Sequence, residues 1–180
     1  MSLNASTQVR AHGSLIAELE DAMSTASREK RVETLRRVTD LFVGGAMKFN
    51  EEQVSVFDDV LLHLVQRMEV KVMAELSTRM APVHNAPVEV VRTLARNDDI
   101  EVAGPVLTQS ARLTSDDLVE IAKSKGQGHL LAIAGRAEVE EVVTDHLLQR
   151  GYGEVTHKLA GNAGARFSQT GFSTLIVRSR

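Results

Sequence analysis

Seven basic residues near predicted helix ends are the side chains best placed to bind a partner. Two segments, residues 94–99 and 121–126, align with each other, and both carry basic side chains near a predicted helix end. If helix pairs stack regularly, matching positions line up along one ridge or groove that would attract an acidic surface. The alternative is a set of solvated charges balanced by Glu138, Glu140 and Glu141. We define the basic ridge as Arg96, Lys123, Lys125, Arg136, Arg150, Lys158 and Arg166.

No group of residues has the spacing of a known catalytic, cofactor or metal site. The chain has no cysteine, which removes thiolate chemistry. None of its six histidines stands at the spacing that places two metal ligands on one helix face. The carboxylate pairs Asp98-Asp99 and Asp116-Asp117 stand at predicted helix starts, where N-capping explains them. We therefore predict that the protein is not an enzyme and binds no cofactor or metal.

The composition indicates a helical protein. Of the 180 residues 43% are hydrophobic, but only 3% are aromatic. Sheets favour aromatic and β-branched residues, whereas Ala, Leu, Val, Glu and Arg suit helices that pack through aliphatic faces. The longest apolar run, residues 130–134, is far shorter than the roughly 18 residues that a membrane span needs. With no signal-peptide pattern either, we expect a cytoplasmic protein without a membrane segment.

The first half of the chain is predicted to be a small helical bundle. We expect a flexible N-terminus over residues 1–13 and an N-terminal helical part over residues 14–81. Within that part, Ser14 opens one amphipathic helix, and Ser27 caps a second helix that ends at Gly44-Gly45.

The strongest local pattern covers residues 50–80. Asn50 and Gln53 have capping-box spacing, and apolar residues then recur every three or four positions as far as Met80. No glycine or proline interrupts the pattern. It therefore predicts one long helix, or two joined by a kink, and the longest helix of the protein.

Residues 87–180 are predicted to form stacked helix pairs. Three segments align, residues 94–99, 121–126 and 159–164, and each pairs an apolar residue and alanine with a polar turn. We interpret each as the end of one helix and the turn into its partner, which is typical of an α-solenoid. Pro105 lies inside one predicted helix and should kink or split it.

The run from Leu94 to Leu107, with its Ile-Glu-Val-Ala-Gly-Pro-Val-Leu stretch, resembles a bacterial, mainly alphaproteobacterial, family of uncharacterised proteins, domain of unknown function 2336. Asp116-Asp117-Leu118 and Asn162 are similar to that family too, and the resemblance extends over residues 30–175. It implies HEAT-like repeats and no established activity. It also implies that the repeats are truncated at residue 180, because family members look longer. The predicted fold is therefore all-α: an α-solenoid of HEAT-like helix pairs with an N-terminal helical bundle.

Two functions follow from these patterns. The first is a non-catalytic protein-interaction module or scaffold for an unknown protein partner, in bacterial signalling or regulation. The alternative is a nucleic-acid-binding HEAT-like protein, resembling the HEAT-like DNA glycosylases, which the basic ridge favours. Against the alternative stand the net charge of −3 and the scarcity of aromatic residues that could hold an extruded base.

Consecutive apolar residues near the C-terminal end predict self-association. Leu175, Ile176 and Val177 point in several directions on a helix, so at least one should stay exposed. We expect Phe167 and Phe172 to pack inward. The predicted patch of residues 175–177 would be covered by a second copy, giving a homodimer, or by downstream chain.

Overall fold

A computed structural model describes residue 21 and residues 25–178. Across that part of the chain the structure is all-helical, as predicted, with one isolated parallel bridge between Val139 and Ala165 and no strand. The helix predicted to open at Ser14 lies outside the described residues. No described helix is both long and apolar enough to cross a membrane. The helices are α1 (Arg28–Gly45), α2 (Glu51–Val65), α3 (Val70–Met80), α4 (Val88–Ala95), α5 (Ile100–Gln109), α6 (Ser115–Ser124), α7 (Gln127–Ala134), α8 (Glu141–Arg150), α9 (Gly153–Ala160) and α10 (Gln169–Arg178).

Several helix starts are capped by side chains that the sequence indicated. The Ser27 hydroxyl accepts from the Lys30 amide, and α1 ends at Gly45 as predicted. The predicted capping box of Asn50 with Gln53 is present at the start of α2, and Thr114 forms a second one with Asp117 at the start of α6. These bonds satisfy amides that a first helical turn leaves without a partner.

The apolar pattern over residues 50–80 forms two helices rather than one. The segment 66–69 separates α2 from α3, and the longest described helix is α1 with 18 residues. The prediction of the longest helix here is therefore wrong. The two halves pack on different neighbours: α2 lies against α1 and α4, whereas α3 lies mainly against α5. The break at residues 66–69 thus follows from tertiary packing, since no glycine or proline interrupts the apolar pattern there.

Asp58 of α2 caps a helix other than its own. Helix α4 has no capping side chain at its start, and the Asp58 carboxylate accepts from the amides of Glu89 (3.0 Å) and Val90 (2.9 Å). Burial raises the pKa of Asp58, although these two bonds oppose the shift. The contact fixes the N-terminal helices against the rest of the chain.

From α3 onward the helices lie in two rows. In the first row, α3, α5, α7 and α9 each contact the next, and in the second row α6, α8 and α10 do the same. Ion pairs join α4 to α6, so α4 extends the second row. The buried aliphatic side chains of both rows belong to one continuous core.

Helix α5 continues through Pro105, so the predicted split is wrong. Pro105 has no amide to donate to the carbonyl of Glu101, which is an exposed residue. Packing of α5 between α3 and α7 stabilises the helix on both sides of the proline.

The third aligned segment falls in a different row from the other two. Residues 94–99 and 121–126 lie at the ends of α4 and α6 in the second row, whereas residues 159–164 follow α9 in the first row. The alignment of the third segment is therefore wrong, and the corresponding second-row end is that of α8, at Arg150. The pattern used for the alignment, an apolar residue and alanine followed by a polar turn, is found at helix ends in both rows. The pattern does not distinguish the rows, because helix termination depends only on the local sequence.

Candidate partner-binding surfaces

Side chains of the first row bond the carbonyl ends of neighbouring helices. Arg136, after α7, donates to the carbonyls of Leu107 (2.6 Å) and Ser110 (2.8 Å) at the end of α5. Asn162, after α9, donates in the same way to the carbonyls of Ala134 (2.9 Å) and Arg136 (2.8 Å). Burial lowers the pKa of Arg136, but guanidinium groups stay protonated in proteins. Arg136 of the basic ridge therefore links two helix ends.

The second row has a matching pair of contacts. Arg150 is the last residue of α8 and donates to the carbonyls of Ala122 and Lys125 at the end of α6. Arg178 is the last residue of α10 and donates to the Gly151 carbonyl (2.9 Å) just after α8. A cation at a helix C-terminus satisfies orphan carbonyls and favours the helix dipole. We call these four contacts, made by Arg136, Asn162, Arg150 and Arg178, the helix-end ties.

A buried carboxylate joins α4 to α6. Asp117 accepts from Arg92 Nε (3.1 Å) and Arg96 Nη2 (3.3 Å), while Arg96 also pairs with Glu120 (2.9 Å). Burial alone would raise the pKa of Asp117, but bonds from Thr114 and Arg92 outweigh it and lower that pKa overall. Arg96 of the basic ridge thus has anionic partners within the chain.

The structure divides the basic ridge. Lys125 forms an ion pair with Asp98, so four of the seven residues, Arg96, Lys125, Arg136 and Arg150, bond to the chain itself. Within the described part of the chain, the side chains of the other three make no hydrogen bond or ion pair. Those three are Lys123, Lys158 and Arg166, and all are exposed.

Two clefts hold ridge residues, and their charge differs. One cleft, of about 450 Å³, lies at the ends of α7 and α9, where Arg136, His157 and Lys158 line it without a carboxylate. The other, of about 510 Å³, places Arg166 among the acidic residues of α8 and its start, Glu140, Glu141 and Asp145. Only the first cleft suits an anionic group. Among residue 21 and residues 25–178, no three metal-ligating side chains are grouped as a metal site.

Helices α6, α8 and α10 have ten residues each and can be compared position by position. The fourth, seventh and eighth positions of α6 and α8 are all buried: Leu118, Ile121 and Ala122, then Thr144, Leu147 and Leu148. In α10, Leu175 still packs against the core, but Phe172 is 55% exposed and Ile176 is 45% exposed. Val177 beside them is 75% exposed. We call Phe172, Ile176 and Val177 the α10 face.

Two expectations about this end need correction. Phe172 does not pack inward, although Phe167 does. At least one of residues 175–177 is exposed, as expected, since Ile176 and Val177 are both exposed; the inclusion of Leu175 in the patch is wrong, because Leu175 packs against the core. The spacing of Phe172 and Ile176 was a signal for the exposure of Phe172, because residues four apart share one face of a helix. The sequence analysis did not predict the roles of Asn162 and Arg178 in the helix-end ties. Asn162 follows Arg136, and Arg178 follows Arg150, by about one helix pair, and this repeated spacing was the signal that could have identified them.

The fold defines a class: an all-α protein of packed helices. Residues 102–180, from within α5 to the last residue, match the model of a family described as uncharacterised protein conserved in bacteria (DUF2336). The resemblance seen in the sequence is thereby confirmed for this part of the chain. No curated protein and no solved structure matches the chain.

Proposed function

We propose that this protein is a non-catalytic interaction module, an α-solenoid of HEAT-like helix pairs that binds a protein partner through the α10 face. Such a module suits a scaffold in bacterial signalling or regulation. Solenoids present extended faces, and each helix pair contacts only its neighbours.

The helix-end ties support the solenoid arrangement. Arg136 and Asn162 follow the eight-residue helices α7 and α9 at the same position, and Arg150 and Arg178 end the ten-residue helices α8 and α10. Each side chain reaches the helix end one step back in its own row. Repetition of the same contact in each row is the property that a stacked array requires.

The observation that carries the proposal is the difference between α10 and its two counterparts. In α6 and α8 the fourth and eighth positions are covered by protein, whereas in α10 Phe172 and Ile176 face solvent. Exposed apolar side chains grouped on one helix face are typical of protein interaction sites.

Affinity capture tests the proposal. The full chain is used as bait in a bacterial lysate, with Phe172→Glu as the test variant and Leu41→Glu as the control, because Leu41 is 64% exposed on α1 at the other end. We expect a stoichiometric protein to bind the natural chain and the control and to be lost with Phe172→Glu. Capture of nothing, or equal capture by all three, would contradict the proposal.

The cleft between α7 and α9 favours a second candidate, binding of nucleic acid. His157 and Lys158 line it beside Arg136, and no carboxylate is present to repel phosphate. Phosphate contacts make such binding strongly salt-dependent. Retardation of labelled duplex at about 50 mM salt, weakened by Lys158→Met and by added salt, would support this candidate; no retardation would end it.

A further inference from the structure

We propose that the cleft at the ends of α7 and α9 binds one phosphate dianion, either as the free ion or as the monoester of a small molecule. Arg136, His157 and Lys158 line this cleft, and none of its lining residues belongs to α10. The inference therefore goes beyond the proposed interaction through the α10 face. It also differs from the second candidate function, because it assigns the cleft to a compact ligand rather than to a nucleic acid.

Arg136 carries a half-buried positive charge that is paired with no carboxylate among the described residues. Its guanidinium donates to two neutral carbonyls near the end of α5, which leaves further N–H groups for a ligand. Arg96 differs, because its bond to Glu120 raises its pKa, whereas burial alone lowers the pKa of Arg136. A buried charge without a counter-charge is costly. An anion beside Arg136 would therefore be stabilised.

Lys158 brings a second cation to the same helix end. A Cβ placed on Gly135 would lie 3.4 Å from Lys158 Cε, so the lysine stem lies against this glycine, next to Arg136 in the chain. The Lys158 side chain is exposed and makes no hydrogen bond or ion pair with the described part of the chain. Its ammonium group is therefore available to a ligand that Arg136 contacts. His157 lines the same cleft and can donate one further N–H.

The groups that would repel an anion are either outside the cleft or already bonded. Glu138 and Glu154, the acidic residues nearest to these cations in the sequence, do not line the cleft. Each of the last four carbonyls of α7 accepts a hydrogen bond, from the amides of Gly135 and Arg136 or from the Asn162 side chain. Carbonyls with donors present less negative charge to a ligand than the orphan carbonyls of an uncapped helix end.

The positions of the free cations favour a compact ligand. Of the three ridge residues without a bond to the described chain, Lys158 lines the cleft, whereas Lys123 and Arg166 do not. Arg166 lies instead among the carboxylates of the other cleft. Nucleic acid is bound through several cations along its backbone, whereas a single phosphate group needs only those of one cleft. The volume of about 450 Å³ is within the range of small-molecule sites.

NMR titration of the full chain with phenyl phosphate and, separately, with inorganic phosphate tests the inference. We expect saturable shifts of the Arg136 Nε–H signal and of the amides of residues 135–137 and 161–163, with a dissociation constant on the order of 1 mM. Sodium chloride at the same ionic strength should not produce these shifts. Tighter binding of phenyl phosphate would identify a monoester as the ligand, and equal binding would identify the free ion.

Two exposed residues provide a variant and its matched control. Lys158→Met should weaken phosphate binding about tenfold, because it removes a charged donor. Arg166→Met, in the acidic cleft, should bind as the natural chain does. Both variants should keep the helical circular dichroism of the natural chain. The absence of saturable shifts up to about 20 mM phosphate, or equal weakening by the two variants, would overturn the inference. If duplex is retarded but phenyl phosphate and inorganic phosphate do not bind, the inference fails while the second candidate function stands.

Discussion

At the scale of single residues, most charged groups that could serve a partner are used inside the protein. Asp117 is the clearest case: one carboxylate closes the capping box with Thr114 and accepts from Arg92 and Arg96. A buried carboxylate with several donors stays ionised and holds the elements that supply them. The same reasoning explains why Arg96 bonds within the chain rather than standing free for an acidic ligand.

Asp117→Asn should destabilise the protein by about 2 kcal/mol at neutral pH, because it removes charge-assisted bonds to two arginines. Urea unfolding measures the loss, with the exposed neighbour variant Asp116→Asn as a control that changes stability little. The lowered pKa of Asp117 means that its contribution is present above about pH 4, the ordinary carboxyl pKa, and is lost as pH falls through the native value. The gap between natural and variant chains should therefore narrow in acid. A gap that widens in acid would contradict this assignment.

At the scale of elements, the helix-end ties explain how short helices are stabilised. Helices α7 and α9 have only eight residues each, too few to be stable alone in water. Tertiary contacts must hold them, and Arg136 and Asn162 supply bonds to carbonyls that helix ends leave without partners. Each tie therefore stabilises a helix end and the contact between two neighbouring helices.

Arg136→Met should cost about 2 kcal/mol, since it leaves the carbonyls of Leu107 and Ser110 without their donor. Lys158→Met is the matched control, because Lys158 is exposed and makes no such bond among the described residues; it should change stability by less than about 0.5 kcal/mol. Urea unfolding gives both values. Amide exchange should also quicken at the end of α5 in Arg136→Met. Equal effects of the two variants would show that Arg136 is not a structural tie.

At the scale of the whole molecule, a stacked array predicts that damage stays local. Each helix of a row contacts mainly its neighbours in that row and its partner in the other. Stability in such arrays is close to a sum over units and nearest-neighbour contacts. The N-terminal helices should therefore tolerate loss of packing at the far end.

Leu159→Ala should remove packing worth about 2–5 kcal/mol from α9, because Leu159 is fully buried. Native-state hydrogen exchange should show lost protection in α8 to α10, with α1 to α3 nearly unchanged. Leu61→Ala, at a fully buried position in α2, is the matched control and should produce the reverse pattern. Uniform loss of protection in both variants would indicate one cooperative unit and would count against a solenoid.

The helical class and many of the helix starts and stops can be predicted from the sequence. Ser27, the two capping boxes and Gly45 act on backbone groups within four residues, so their effect is visible in a short stretch of chain. Helix periodicity is equally local, which is why buried stripes were recognised.

The arrangement of these helices depends on tertiary contacts that no short segment contains. The break after Val65, the row to which residues 159–164 belong and the carbonyls bound by Arg136 all depend on partners outside the local segment. The exposure of Phe172 depends on the same kind of contact, because its counterpart Thr144 is buried by chain that follows α8. A residue's neighbours in the sequence determine whether it is helical. Its burial depends on which helix packs over it, and that is a property of the assembled fold.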